Sequence, residues 1–161
     1  RANRWFLPLL LAMALANGLV HAQALGWAGG LAARGSMLML VLILLTLVWV
    51  GGRIMPFFTE KALSGARPRN RPWVEGAGFG LLLLLAALQL AALGGWAPAL
   101  AAFALASVQA VRLAGWYDHR LWGIPILWVL YTGYIWLIAG FALFGLEDAG
   151  AMRLWQSLAD E

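Results

Sequence analysis

The chain has 161 residues, 63% of them hydrophobic and 11% charged, where an ordinary soluble domain carries roughly 25% charged residues. With a mean hydropathy of +0.82, this composition excludes a water-soluble globule and specifies an integral membrane protein without a separate soluble domain. The lack of cysteine removes disulfides, thiolate metal ligands and cysteine nucleophiles. The net charge of +4 is carried by arginines clustered in connections, which points to orientation and anionic lipid headgroups and not to nucleic acid.

The first apolar run predicts a span over residues 5–25, with Asn17, His21 and Gln23 all in its second half. A short glycine-rich link, 26–34, predicts an antiparallel second span over 35–52, in which Ser36 and Thr46 are the polar side chains. Gly51, Gly52, Arg53, Ile54, Met55, Pro56, Phe57, Phe58 and Thr59 end this run. A proline inside a helix loses a backbone bond, so the helix is expected to stop or kink at Pro56, on the membrane surface. A long basic loop, 53–73, with Lys61, Arg67, Arg69 and Arg71, is expected to follow.

The third span, 76–93, contains five consecutive leucines and the single polar side chain Gln89. Gly94, Gly95 and Pro98 predict a tight turn into a fourth span over 99–116. A polar loop of Tyr117, Asp118, His119 and Arg120 leads to a fifth span over 122–146. In the tail, 147–161, Met152, Trp155 and Leu158 recur every three residues and predict an amphipathic turn lying on the interface. The expected fold is all-α, one polytopic transmembrane helix bundle of about five spans over residues 1–161. Small-residue spacings at Gly76 and Gly80, at Ala102, Ala106 and Ala110, and at Gly133 and Gly140 predict packing faces.

With five spans, Arg1, Arg4, Arg53, Lys61, Arg67, Arg69, Arg71, Arg112 and Arg120 fall on one side, and only Arg34 and Arg153 on the other. The positive-inside rule then places the N-terminus in the cytoplasm.

Few groups are suited to chemistry. His21 lies one turn past Asn17 on the same face of the first span, where an imidazole either bonds to a carbonyl or water or ligates haem iron or copper. His119 reads as a solvated loop histidine. Arg53 is either a snorkelling orientation charge or a counter-ion for an anion such as a haem propionate. Tyr131, about nine residues into the fifth span, is expected near mid-membrane, where a tyrosine hydroxyl finds a hydrogen-bond partner. Acidic residues fall in loops or near helix ends, against a proton-coupled carrier built on Asp or Glu. No phosphate loop, nucleophile elbow or other catalytic motif is visible.

Three stretches together resemble the NnrS family of bacterial membrane proteins. Residues 3–7 with Ala16, Asn17 and His21 look like its opening asparagine, helix and Asn-xxx-His pattern. Residues 51–59 are similar to its Gly-Gly-Arg-hydrophobic-hydrophobic-Pro-Phe-Phe-Thr signature, and Trp116 with residues 125–137 resembles its late helix. The resemblance implies a multi-pass protein of the bacterial inner membrane, associated with haem and copper and linked to nitric oxide metabolism and nitrosative-stress tolerance. It implies His21 as axial metal ligand, Arg53 near a propionate and Tyr131 lining the cofactor pocket. Where the family's late helix commonly has Leu-His-x-Gly-Tyr, this chain has Leu130, Tyr131, Thr132, Gly133 and Tyr134. Family members are usually longer, so a partial or shortened member is expected, whose partners are the lipid bilayer and other transmembrane subunits or the helices of a longer chain. The competing readings are a cofactor-free structural or accessory subunit of a larger membrane complex, and a small-solute carrier using Gln89, Gln109, Thr132 and the tyrosines.

Overall fold

Runs of Leu, Ala and Val wind into helices in lipid because each backbone N–H and C=O has to be satisfied inside its own segment. The computed structural model describes residues 6–91 and 96–150. Among them are helices α1 (Phe6–Ala24), α2 (Leu31–Ala62), α3 (Pro72–Leu90), α4 (Trp96–Trp116) and α5 (Pro125–Asp148), a 3-10 turn at His119–Gly123, and no strand. All five helices are long and apolar enough to cross a membrane. The interfacial turn expected around Trp155 and the glycines of the turn at Gly94 and Gly95 lie outside the described residues.

The largest departure from expectation is α2. It neither stops at Gly52 nor breaks at Pro56, but continues as helix to Ala62, so the long loop expected over 53–73 shrinks to 63–71. The residues past Gly52 extend its buried face: Val48, Gly52, Met55, Thr59 and Leu63 recur at helical spacing and all are buried. Pro56 forfeits the bond to the Gly52 carbonyl, a loss that membrane helices tolerate where neighbouring helices hold the segment. At 32 residues and about 1.5 Å per residue, α2 is about 48 Å long and outruns a hydrocarbon core of about 30 Å. Prolines at the first helical positions of α3 and α5, where a missing N–H is harmless, start those helices at Pro72 and Pro125.

The chain forms two compact units, Arg1–Leu47 and Val48–Glu161. In the first, α2 approaches α1 backbone to backbone: a Cβ on Gly35 would stand 2.5 Å from the Ala16 carbonyl oxygen and 3.0 Å from Leu19 Cβ. Gln23, one of the polar residues at the end of the first span, accepts a hydrogen bond from the Ala32 N–H at 2.8 Å and so satisfies one of the orphan donors opening α2.

In the second unit α4 packs between α3 and α5. Its buried face, Ala99, Ala102, Leu105, Ala106, Gln109, Arg112 and Trp116, starts small and ends polar and large. Of the expected small-residue faces, Ala102 and Ala106 are buried but Ala110 is exposed. A Cβ on Gly76, Gly80, Gly133 or Gly140 would meet nothing within 4 Å. Spacing of small residues identifies a helix face without saying which face meets a neighbour. The close approaches fall instead at Gly51, Gly52, Gly78, Gly115 and Gly145.

Candidate functional site

The polar centre of the second unit is built where α2, α4 and α5 meet. Gly52 removes a side chain from the buried face of α2, and the guanidinium of Arg112 from α4 occupies the space: a Cβ at Gly52 would lie 1.8 Å from Nη2 and 2.7 Å from Cζ. Arg112 is only 7% exposed. Its Nη1 donates to the Val48 carbonyl at 2.8 Å, and its Cζ lies 5.1 Å from the centre of the Trp116 ring. Glu75 of α3 is the counter-charge, 3.6 Å from Nη2 and partly exposed, which at that separation is a charge interaction and not a hydrogen bond.

One turn away, Tyr134 of α5 donates from its hydroxyl to Gln109 Oε1 at 2.7 Å and receives a long contact from Arg112 Nη1 at 3.5 Å. Its ring packs edge-on against Trp116 and lies 3.0 Å from where a Cβ on Gly51 would stand. Two buried donors, Gln109 Nε2 and Arg112 Nε, have no protein partner. Gln109 Nε2 lies 3.2 Å from a Cβ position on Gly78 of α3.

Toward the end of α4 a second cluster is made by hydroxyls. Tyr131 donates to the Trp116 carbonyl at 2.5 Å and lies 3.1 Å from Thr59 Oγ1, which also reaches its own helix at the Met55 carbonyl, 2.8 Å away. With one proton on each hydroxyl and Tyr131 committed to Trp116, the Thr59 proton is shared between the Met55 carbonyl and the Tyr131 oxygen. The Tyr131 hydroxyl is thus level with the last residue of α4, not at the middle of the bundle as its place in the sequence suggests. Trp116 Nε1 donates to Asn70 Oδ1 at 2.7 Å, and the Arg69 N–H to the Gly115 carbonyl at 2.8 Å, laying the 63–71 connection across the end of α4.

Outside the spans the arrangement changes character. Asp118 Oδ1 accepts from Arg120 N and Nε, both at 3.0 Å, and Oδ2 from Nη2 at 2.7 Å, while Arg120 Nη1 reaches the Ser64 carbonyl at 3.1 Å. The Arg120 side chain, then its backbone N–H, holds the Asp118 carboxyl well below the usual carboxylate range, and that carboxylate raises Arg120 in turn.

The residues singled out in the sequence are placed separately. His21 is exposed on α1 in the first unit. Arg53 is exposed in the second, its Cζ 5.0 Å from the centre of the Trp49 ring, off the face of α2 that seats Arg112. Tyr131 is buried against Thr59 and Trp116. Among the described residues no group of three or more His, Cys, Asp or Glu could hold a metal ion.

The sequence reading missed Arg112, which counts there only as an orientation charge, and the pairing of Gly52 with it. Gln109, Arg112 and Trp116 continue the face of Ala102, Leu105 and Ala106 at helical spacing, and a charge on an otherwise small-residue face was the available signal. Chemically, the cluster joins three helices by hydrogen bonds and a buried cation.

Comparison with known proteins gives one result: the family model described as "NnrS: NnrS protein" matches residues 1–159. No curated protein and no solved structure matches.

Proposed function

The chain belongs to the NnrS family, and from that membership we propose that it is a multi-pass protein of the bacterial inner membrane that binds haem and supports nitric oxide metabolism or tolerance of nitrosative stress. The observation that carries this reading is the family match over nearly the whole chain. The signature residues Gly51, Gly52 and Thr59 sit at contacts between helices, which is consistent with it.

The donor set bears on the cofactor. The exposed imidazole of His21 on α1 suits a single axial bond to haem iron. Bound there, haem would supply an iron coordination position for a diatomic ligand. Arg53, exposed beside Trp49 in the second unit, reads as the snorkelling orientation charge. Tyr131 acts on the helices, fixing α5 to α2 and α4. A copper ion held by several His or carboxylate donors does not fit the described residues, which bring no three His, Cys, Asp or Glu together. The arginine-rich connections face the cytoplasm, with the N-terminus on the same side.

An absorption spectrum of protein purified from haem-replete cells tests the proposal. The expected result is a Soret band that disappears in His21→Ala and survives Tyr131→Phe. A bandless protein recovered in near-stoichiometric association with a larger membrane complex would instead favour an accessory subunit.

A further inference from the structure

At the end of α2 a groove of about 420 Å³ opens between the helix and the 63–71 connection, bordered by Phe57, Glu60, Arg67 and Asn70. Two opposite charges share this rim. Among the described residues neither Glu60 nor Arg67 forms an ion pair, and both are exposed. Free opposite charges side by side are the complement of a zwitterion.

The apolar part of the groove is in register with them. Phe57 precedes Glu60 by three residues and so lies about one turn nearer the hydrocarbon on the same side of α2; its ring is 53% exposed. At about 420 Å³ and open to solvent, the groove has room for a phospholipid headgroup.

We propose that this groove binds the headgroup of an aminophospholipid of the phosphatidylethanolamine type, the phosphate taken by Arg67 and Asn70, the ammonium by Glu60, and an acyl chain lying along Phe57. A primary ammonium offers Glu60 three N–H donors for charge-assisted bonds. The quaternary ammonium of a choline lipid offers none, and a glycerol headgroup brings no cation at all. Glu60 is therefore the residue that sets the preference, and Arg67 the residue that sets affinity for any phosphate.

The test uses the full chain in bilayer discs with equal phosphatidylethanolamine, phosphatidylcholine and phosphatidylglycerol of matched acyl chains, followed by mass spectrometry of the lipid retained after extraction into mild detergent. Wild type is expected to retain the ethanolamine lipid over the choline lipid by roughly tenfold or more, the factor that one charge-assisted hydrogen bond carries. Glu60→Gln should bring that ratio close to one and Glu60→Asp should restore part of it, while Arg67→Gln lowers retention of both lipids. Because both side chains are on the surface, unchanged helical circular dichroism is expected in every variant. Retention in proportion to the bulk lipid overturns the proposal. So does a preference for phosphatidylglycerol that Glu60→Gln leaves untouched, which would mean that the basic connection merely attracts anionic lipid.

Discussion

Arg112 and Arg120 carry the same guanidinium eight positions apart, and their surroundings reverse what their distances suggest. Arg120 has the better-looking partner, three contacts of 2.7 to 3.0 Å to Asp118, yet it is exposed. There, water screens the pair and offers a substitute for each bond, so little is lost when it breaks. The ion pair of Arg112 is 3.6 Å long, yet the cation is buried, and its carbonyl and ring contacts cannot be replaced by bulk water. A charge that is expensive to strand makes each neighbour matter. Here the most exacting neighbour is a missing side chain, that of Gly52.

Gly52→Ala should therefore give the largest effect of any small substitution in the second unit. The new methyl claims the position of Nη2, and the guanidinium has to leave the Val48 carbonyl. A loss of about 3 kcal/mol is expected, the scale of a broken buried charge contact, read from denaturant titration of helicity in mixed micelles. Repeating the substitution in Arg112→Met sharpens the comparison: with no guanidinium to displace, the two changes should be strongly non-additive. An equal cost in both backgrounds would mean that Gly52 serves α2 itself and not the arginine.

Next in size are the hydroxyls at the end of α4. Tyr131→Phe removes the donor to the Trp116 carbonyl and leaves that buried oxygen without it, which should cost about 1 to 2 kcal/mol. Thr59→Val keeps the Tyr131 to Trp116 bond and should cost less, because the valine replaces the hydroxyl with a methyl of similar size. The reverse order in unfolding titrations would place the working bond between α2 and α5, not between α5 and α4.

How much of this was legible in advance follows from the physics of each feature. The number and positions of the spans depend on hydropathy summed over about 20 residues, and summation tolerates local exceptions. The end of α2 depends on whether a bundle compensates one lost backbone bond at Pro56, and that information lies in helices far along the chain. In the sequence Arg53 stands out as the first charge after an apolar run, whereas Arg112, near the end of another span, counts among the loop charges. What separates them is burial. Arg112 faces Gly52 across a helix contact, and no local pattern in either segment names the other. The buried face of α4 was half visible, since Ala102 and Ala106 lie on it, but Gln109, Arg112 and Trp116 had to be read as its continuation and not as three unrelated polar interruptions.

A smaller effect is expected at the Asp118 turn. Arg120 depresses the Asp118 carboxyl in the folded protein, so whatever the pair contributes is fully present above the unfolded value of about 3.9 and is lost as pH falls through the folded one. Helicity and the protection of the turn's amides, relative to the intrinsic exchange rate at each pH, should therefore be flat from about pH 5 upward and change only in stronger acid. Asp118→Asn should release Arg120 from the turn and raise amide exchange around Ser64, with little change in the unfolding midpoint. A midpoint shift as large as that of Tyr131→Phe would show that the turn is more shielded from solvent than its exposure indicates.

The smallest expected effect completes the contrast, because it uses the same substitution as the largest. Gly133 is also inside a helix, α5, and stands in the same stretch as Tyr131 and Tyr134. A Cβ there meets nothing within 4 Å. Gly133→Ala should be neutral or stabilising by about 0.5 to 1 kcal/mol, through the helix propensity of alanine and a less disordered unfolded chain. If Gly133→Ala proved as damaging as Gly52→Ala, its open side would have to be covered by something other than lipid, since fluid acyl chains can yield to a methyl group and a packed surface cannot.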